Sequence, residues 1–255
     1  TLTNAIETVT NEMKTKGRKG DILLLEAQRP TKVGTYKGTK NEEIAIEGDH
    51  GTYFPVEIAE VVCKAIQTAV ANGIIVIEAA GNGTTELKKI RNKQGKEEVK
   101  WVEGGIGVNL DAFTNASNNH TLNRDMKNEF VESGAIMIAA ARSSQPHDKM
   151  SFSNYGNRID CNAWGENVTT TTIDDKNNDT YVNDFSGTSS ASAIIAGAAL
   201  CVQGISKDGN KATLTPVQMR DLLSPYKERI ASPKFYKIGV MPDLKKIIES
   251  GFKAI

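Results

Sequence analysis

The chain has 255 residues, enough to bury a substantial single core. Its 31 basic residues balance 31 acidic ones, so no net field argues for nucleic acid or an anionic membrane as a partner. Cys63, Cys161 and Cys201 form no Cys-x-x-Cys pair and His50, His120 and His147 stand in separate loops, which speaks against a disulfide framework and a zinc site.

No apolar run approaches the length of a membrane span, and the amino-terminal residues lack the pattern of a signal peptide. The chain opens on Thr1 rather than Met, as expected of a trimmed or processed polypeptide. The compartment does not follow from the sequence.

Leu2 to Lys16 is patterned as an amphipathic helix ended by Gly17. Asp21 to Ala27 follows as a short, continuously apolar run, which predicts a buried parallel strand. A stretch rich in Gly, Lys and Thr runs to about Thr52, and Pro55 then opens a helix with Ile58, Val62, Ile66 and Val70 on one face. Asn72-Gly73 ends that helix before a strand over Ile74–Ile77. From Thr84 to Glu132 the chain is polar with little periodicity, and the basic cluster Lys88 to Lys93, followed by Glu97 and Glu98, reads as a solvated loop. Ala135–Ala140 and Ile159–Trp164 read as further strands, Ser151–Gly156 as a turn, and Thr169–Thr172 as β-prone. The last helices begin near Pro216 and Asp243. Cys63 and Cys201 lie in helical patterns and read as small core residues. Strands alternating with helices predict one α/β domain over residues 1–255, a parallel sheet with helices on both faces.

Two motifs carry chemistry. Gly187-Thr188-Ser189 opens an apolar, small-residue helix, so Ser189 stands at the helix N-terminus, where unpaired N–H groups and the positive end of the dipole face any developing anion. That placement suits a nucleophilic serine, and it also suits an ordinary N-cap. The second is Ala79-Ala80-Gly81-Asn82-Gly83 at the carboxyl end of the Ile74–Ile77 strand. There Asn82 can donate from a fixed position while glycine admits a substrate backbone, although a plain strand-to-turn junction reads the same way. No Gly-x-Gly-x-x-Gly leads into a helix there, so it is no dinucleotide loop.

Together these motifs resemble the subtilisin-like serine peptidases, the subtilases. The likeness extends through Gly134–Ala140, Met150–Gly156 and Ala163-Trp164-Gly165-Glu166 to Ile238–Asp243, and so covers essentially the whole chain. It implies Ser189 as nucleophile and Asn82 as side-chain donor of an oxyanion hole, assisted by the Ser189 N–H. It also implies that Leu23–Ala27 and Glu78–Gly81 flank the pocket for the residue before the scissile bond, with Glu26, Glu78, Ala79, Ala80, Gly81 and Thr188 as substrate-binding candidates. Glu26 and Glu78 are acids where the family more often has small or neutral residues. They could favour a basic substrate residue or belong to a buried hydrogen-bond network, and we prefer the network for both. Calcium is common in the family, but acidic pairs such as Asp174-Asp175 lack an assignable spacing, so no cofactor or metal is assigned.

The chain departs from the family twice. Ala193 stands where the family has Pro, which loosens the turn without breaking it. The family's Asp and His motifs belong upstream of the region matching Leu2–Lys16, and neither is found here. Asp49-His50-Gly51-Thr52 mimics the His motif but stands only one helix ahead of Asn82, so His50 reads as a loop histidine. Without its base a triad serine loses several orders of magnitude in turnover, as in subtilisin.

The fold is therefore expected to be incomplete in this chain, exposing an apolar strand edge and one uncovered sheet face. The expected partner is the amino-terminal half of the same protease, carrying Asp and His, with a protein or peptide as substrate and neither nucleic acid nor membrane involved. The function so implied is a serine endopeptidase subunit or fragment, active only when completed. The alternative is an inactive subtilase-like pseudoprotease that binds peptide or protein.

Overall fold

The structure is a computed structural model that describes residues 1–31, 35–37, 43–45, 51–91, 95–102, 105–115, 120–173, 178–210, 213–225 and 237–252. His50 and the Asp174-Asp175 pair lie outside the described residues.

Four parallel strands form the central sheet: β1 (Ile22–Leu25), β2 (Ile75–Ala79), β3 (Ile136–Ala141) and β4 (Cys161–Trp164), side by side in that order. The register sets Leu25 against Glu78, Ile136 against Ile77 and Ile138 against Cys161. Parallel strands need long crossovers, and the helix Glu60–Ala71 supplies the one between β1 and β2. Helices α1 (Leu2–Thr15) and α2 (Glu60–Ala71) pack together on one face. Helices α3 (Thr188–Asn210), α4 (Pro216–Leu223) and α5 (Leu244–Glu249) cover the other. Thr1 caps α1 through Asn4 N–H, and a Thr215–Gln218 capping box with Pro216 starts α4.

Alternation along the strands decides which side chain meets which layer. Ile75, Ile77, Ile136 and Ile138 face Ala191, Ile195, Ala199 and Val202 of α3. Val76 and Leu25 face Ile6, Val62 and Ile66 of the α1–α2 layer. Met137, Ala139 and Ala141 meet Phe54, Leu110 and Phe113 from the loop layer. Both faces are thus covered, which corrects the expectation of an uncovered sheet face.

The uncovered apolar surface is elsewhere. Strand β1 is the sheet's edge, and Ile22, Leu23 and Leu24 are only partly buried, where the sequence predicts a buried strand. Helix α3 packs on β1 with one side and turns Ile194, Leu200 (60% exposed) and Ile205 outward. Gly197 and Gly204 lie beside them, and a Cβ on either would meet nothing within 4 Å. Cys201 shares this stripe and is exposed, which corrects its reading as a core residue, whereas Cys63 and Cys161 are buried. Residues Thr188–Gly209 are also long and apolar enough to span a membrane by length and composition, contrary to expectation, with mean hydropathy 1.4 and half of that window buried in the protein.

The segment expected as loop between Thr84 and Glu132 includes an antiparallel hairpin, Glu86–Arg91 with Glu97–Val102. A second hairpin, Val168–Ile173 with Asp179–Phe185, leads directly into the turn before α3.

Candidate active site

Strands β1 and β2 end side by side at their carboxyl ends, and α3 begins there. This is where open parallel sheets bind ligands. Gly81 turns the chain out of β2 with φ at 91°, and a Cβ there would come within 2.5 Å of Tyr53 O, so only glycine fits. Asn154 holds the turn from behind. It is fully buried, donates to Ala80 O and Tyr53 O at 2.7 Å each, and accepts from Val108 N–H at 3.0 Å.

Asn82 is fixed at both ends. Its N–H donates to Gln28 Oε1 at 2.9 Å. Its Oδ1 accepts from the Thr188 N–H at 2.8 Å and from the Thr188 hydroxyl at 2.9 Å. Thr188 Oγ1 in turn accepts from Gly81 N–H at 3.2 Å. Because both Thr188 donors claim Oδ1, the amide orientation is set and Nδ2 is left to donate elsewhere.

Ser189 follows Thr188 in the first turn of α3, where a backbone N–H has no carbonyl of its own helix to bond. Gly187, with φ at 121°, keeps the space in front of that turn open. A Cβ on Gly187 would lie 3.4 Å from Asn82 Nδ2 and 3.6 Å from both Asn82 Oδ1 and Ser189 N, so the amide and that N–H border one small volume.

The Ser189 hydroxyl donates to the Glu26 main-chain carbonyl at 3.4 Å. Among the described residues no hydrogen bond joins it to an imidazole. His147 Nδ1 bonds Arg142 O, and His120 belongs to a short strand paired with Asn115. Nor does any group of three or more His, Cys, Asp or Glu among the described residues form a metal cluster.

The remaining predicted site residues separate by burial. Glu78, Ala79, Ala80 and Thr188 are at most 1% exposed, so their side chains support the site from behind and do not present themselves to a substrate. Glu78 takes the network reading: Oε1 accepts from Glu57 N–H at 2.9 Å, while Oε2 has no hydrogen-bond partner among the described residues. Burial and the Glu57 charge push its carboxyl well above the usual range, and Arg158 opposes them. Arg158, itself fully buried, grips Glu57 through Nε (2.5 Å) and Nη2 (2.8 Å) and Asp160 through Nη1 (3.0 Å). Arg124 reaches Asp160 from outside at 2.9 Å. Glu26 behaves differently: it is exposed, which corrects the network reading for that residue.

The family model described as "Subtilase family" matches residues 38–228. The chain belongs to the subtilase family. Two solved structures agree on its fold. A lanthipeptide protease aligns with TM-score 0.55 and 15% identity over 98% of this chain and 66% of its own. The prenylagaramide maturation protease PagA aligns with TM-score 0.52 and 18% identity over 97% and 65%. A protease of Pseudoalteromonas arctica PAMC 21717 aligns with TM-score 0.49 and 18% identity over 90% and 51%. This subtilase chain therefore spans between half and two thirds of the length of those structures. No curated protein matches it.

Of the site, the two motif residues Ser189 and Asn82 are legible in sequence. Gln28 and the supporting role of Asn154 are missed, as is the role of Thr188 as the clamp on Asn82. Gly187 and Thr188 stand in the Gly-Thr-Ser motif and Asn154 in the Ser-Phe-Ser-Asn-Tyr-Gly turn, whereas nothing in the sequence marks Gln28.

Proposed function

We propose that this subtilase chain supplies the nucleophile and oxyanion hole of a serine endopeptidase, and that Asp and His come from the amino-terminal portion of the same protease. Ser189 Oγ attacks the scissile carbonyl carbon while its proton passes to the supplied imidazole. The carbonyl π electrons move onto oxygen, and the oxyanion settles between Asn82 Nδ2 and the Ser189 N–H. Collapse breaks the C–N bond, the amine leaves with the imidazolium proton, and water then releases the acyl group from Ser189. The observation that carries this reading is the Thr188 clamp, which aims the Asn82 amide at the volume that Ser189 N–H also borders.

The partner reading draws support from the uncovered surface. The free edge of β1 and the apolar outer face of α3 adjoin each other, and α3 is the helix that starts at the nucleophile. A parallel strand added to β1 and a helix laid on Ile194, Leu200 and Ile205 would cover both and bring a side chain to Ser189. One observation favours the scaffold alternative: the Ser189 hydroxyl donates to a main-chain carbonyl, not to a base.

The deciding experiment is fluorophosphonate labelling of the native assembly, with Ser189→Ala as control. Labelling at Ser189 is the expected result. No labelling, beside a reacting subtilase control, would leave the scaffold.

A further inference from the structure

Glu26 is the one acid at the site that the fold leaves unanswered. The register that pairs Leu25 with Glu78 puts it level with Ala79, at the carboxyl end of β1. Its carbonyl accepts from the Ser189 hydroxyl, so the residue touches the nucleophile directly. Its carboxylate takes part in no hydrogen bond or ion pair among the described residues. Partial burial alone raises its carboxyl above the ordinary value, with no charged neighbour contributing.

The contrast within the same protein is informative. Glu57 and Asp160 are paired with Arg158, and Glu132 is paired with Arg220 at 3.0 Å. Partly desolvated carboxylates normally acquire such partners, because water no longer fully compensates their charge. The neighbours of Glu26 in the chain and across the register carry no charge: Ala27 follows it, and Ala79, level with it, ends β2. Among the described residues no charged neighbour shifts the Glu26 carboxyl, and the exposed side chain is open to a cation arriving from solvent.

We propose that Glu26 selects peptide substrates bearing a cationic side chain, Arg or Lys, beside the scissile bond. This inference rests on the nucleophile reading of Ser189. In the free protein the carboxylate faces solvent. When substrate arrives, a guanidinium or ammonium replaces that solvent and forms a charge-assisted hydrogen bond. The same bond holds the peptide so that its carbonyl lies over Ser189. A neutral side chain would strip water from Glu26 and return no bond, so discrimination works in both directions.

The test uses two peptidyl diphenyl phosphonates that differ only in Arg or Leu at the phosphonate-bearing residue. Both react with the native assembly, and modification of Ser189 is followed by mass spectrometry. The Arg reagent is expected to react about tenfold faster or more. The ratio should fall toward one in Glu26→Gln and recover in part in Glu26→Asp. It should also shrink at high salt and as pH drops through the titration of Glu26. A small fluorophosphonate without a peptide runs in parallel. If it labels Ser189 while the Arg and Leu reagents react equally, or if the preference survives Glu26→Gln, the inference is overturned and the nucleophile reading stands. If no reagent labels Ser189, both fall together. Should Glu26→Gln fail to fold, a wild-type preference that ignores both salt and pH overturns the inference.

Discussion

Replacing Glu78 with Gln should flatten the loss of stability that the protein suffers as pH rises. In the folded protein Glu78 is fully buried beside Glu57, and its carboxyl titrates well above the ordinary carboxylate value. In the unfolded chain it ionises at that ordinary value. Between the two pH values the folded state holds one proton more than the unfolded state, so stability is full below the unfolded pKa and declines as pH climbs toward the folded one. The slope is about 1.4 kcal/mol per pH unit, so each pH unit within that window removes a sizeable part of typical domain stability. Gln keeps the acceptor that Oε1 offers to Glu57 N–H and cannot ionise. The acid limb serves as an internal control. Arginines hold Asp160 well below its usual range and draw Glu132 down to about 2, so their contributions are present above the ordinary carboxylate pKa and are lost as pH falls through the depressed ones. Wild type and Glu78→Gln share that limb. Urea unfolding at intervals from about pH 2 to pH 8 should show curves that fall together on the acid limb and diverge as pH rises above it, with wild type losing ground. Parallel curves, or divergence of opposite sign, would refute a protonated buried Glu78.

Other substitutions probe the same framework. Thr188→Val removes the hydroxyl that joins Gly81 N–H to Asn82 Oδ1, leaving a buried donor unmet at about 1–3 kcal/mol, and should slow fluorophosphonate labelling of Ser189 while thermal unfolding stays cooperative. Asn82→Ala should lower turnover of the assembled protease by about two to three orders of magnitude with little change in KM, as it does in subtilisin, the source of that figure. Gly187→Ala would strain a residue at φ 121° and push a methyl group to 3.4 Å from Asn82 Nδ2, so substrate turnover should fall more than denaturant resistance. Arg158→Met strips Glu57 and Asp160 of their buried cation and should cost about 3–5 kcal/mol in chemical denaturation. An Arg158 variant as stable as wild type would mean that the pairs are expendable.

The strands of the sheet were readable because each is a short apolar run, and that same property hid their environment. A parallel strand buried on both faces shows no alternation, so the inward face of Glu78, which shares the parity of Val76, could not be told from the exposure of Glu26. Helix α3 illustrates the same blindness: an apolar, small-residue helix reads as buried all round, and nothing in its composition marks Ile194, Leu200 and Ile205 as the side without a neighbour. Asn82 and Ser189 were visible through their glycine-flanked turns. Gln28 was not, nor was the bond from Thr188 to Asn82, because the partners are 54 and 106 residues away in sequence and only folding brings them together. Arg158 stood among ordinary charged residues, since a guanidinium that joins Glu57 across 101 positions leaves no local pattern.

The bond between Thr188 and Asn82 also bears on the order of events during folding. Closing a loop of 106 residues is entropically costly, and such contacts form after the local ones. Ser189 has its helix as soon as α3 forms, but the amide that would steady an oxyanion is aimed only once α3 has packed against β2. A partly folded chain therefore carries its serine before the Asn82 amide is fixed beside it. On the proposed reading the two donors meet only after that long-range closure, whichever portion of the protease supplies the base.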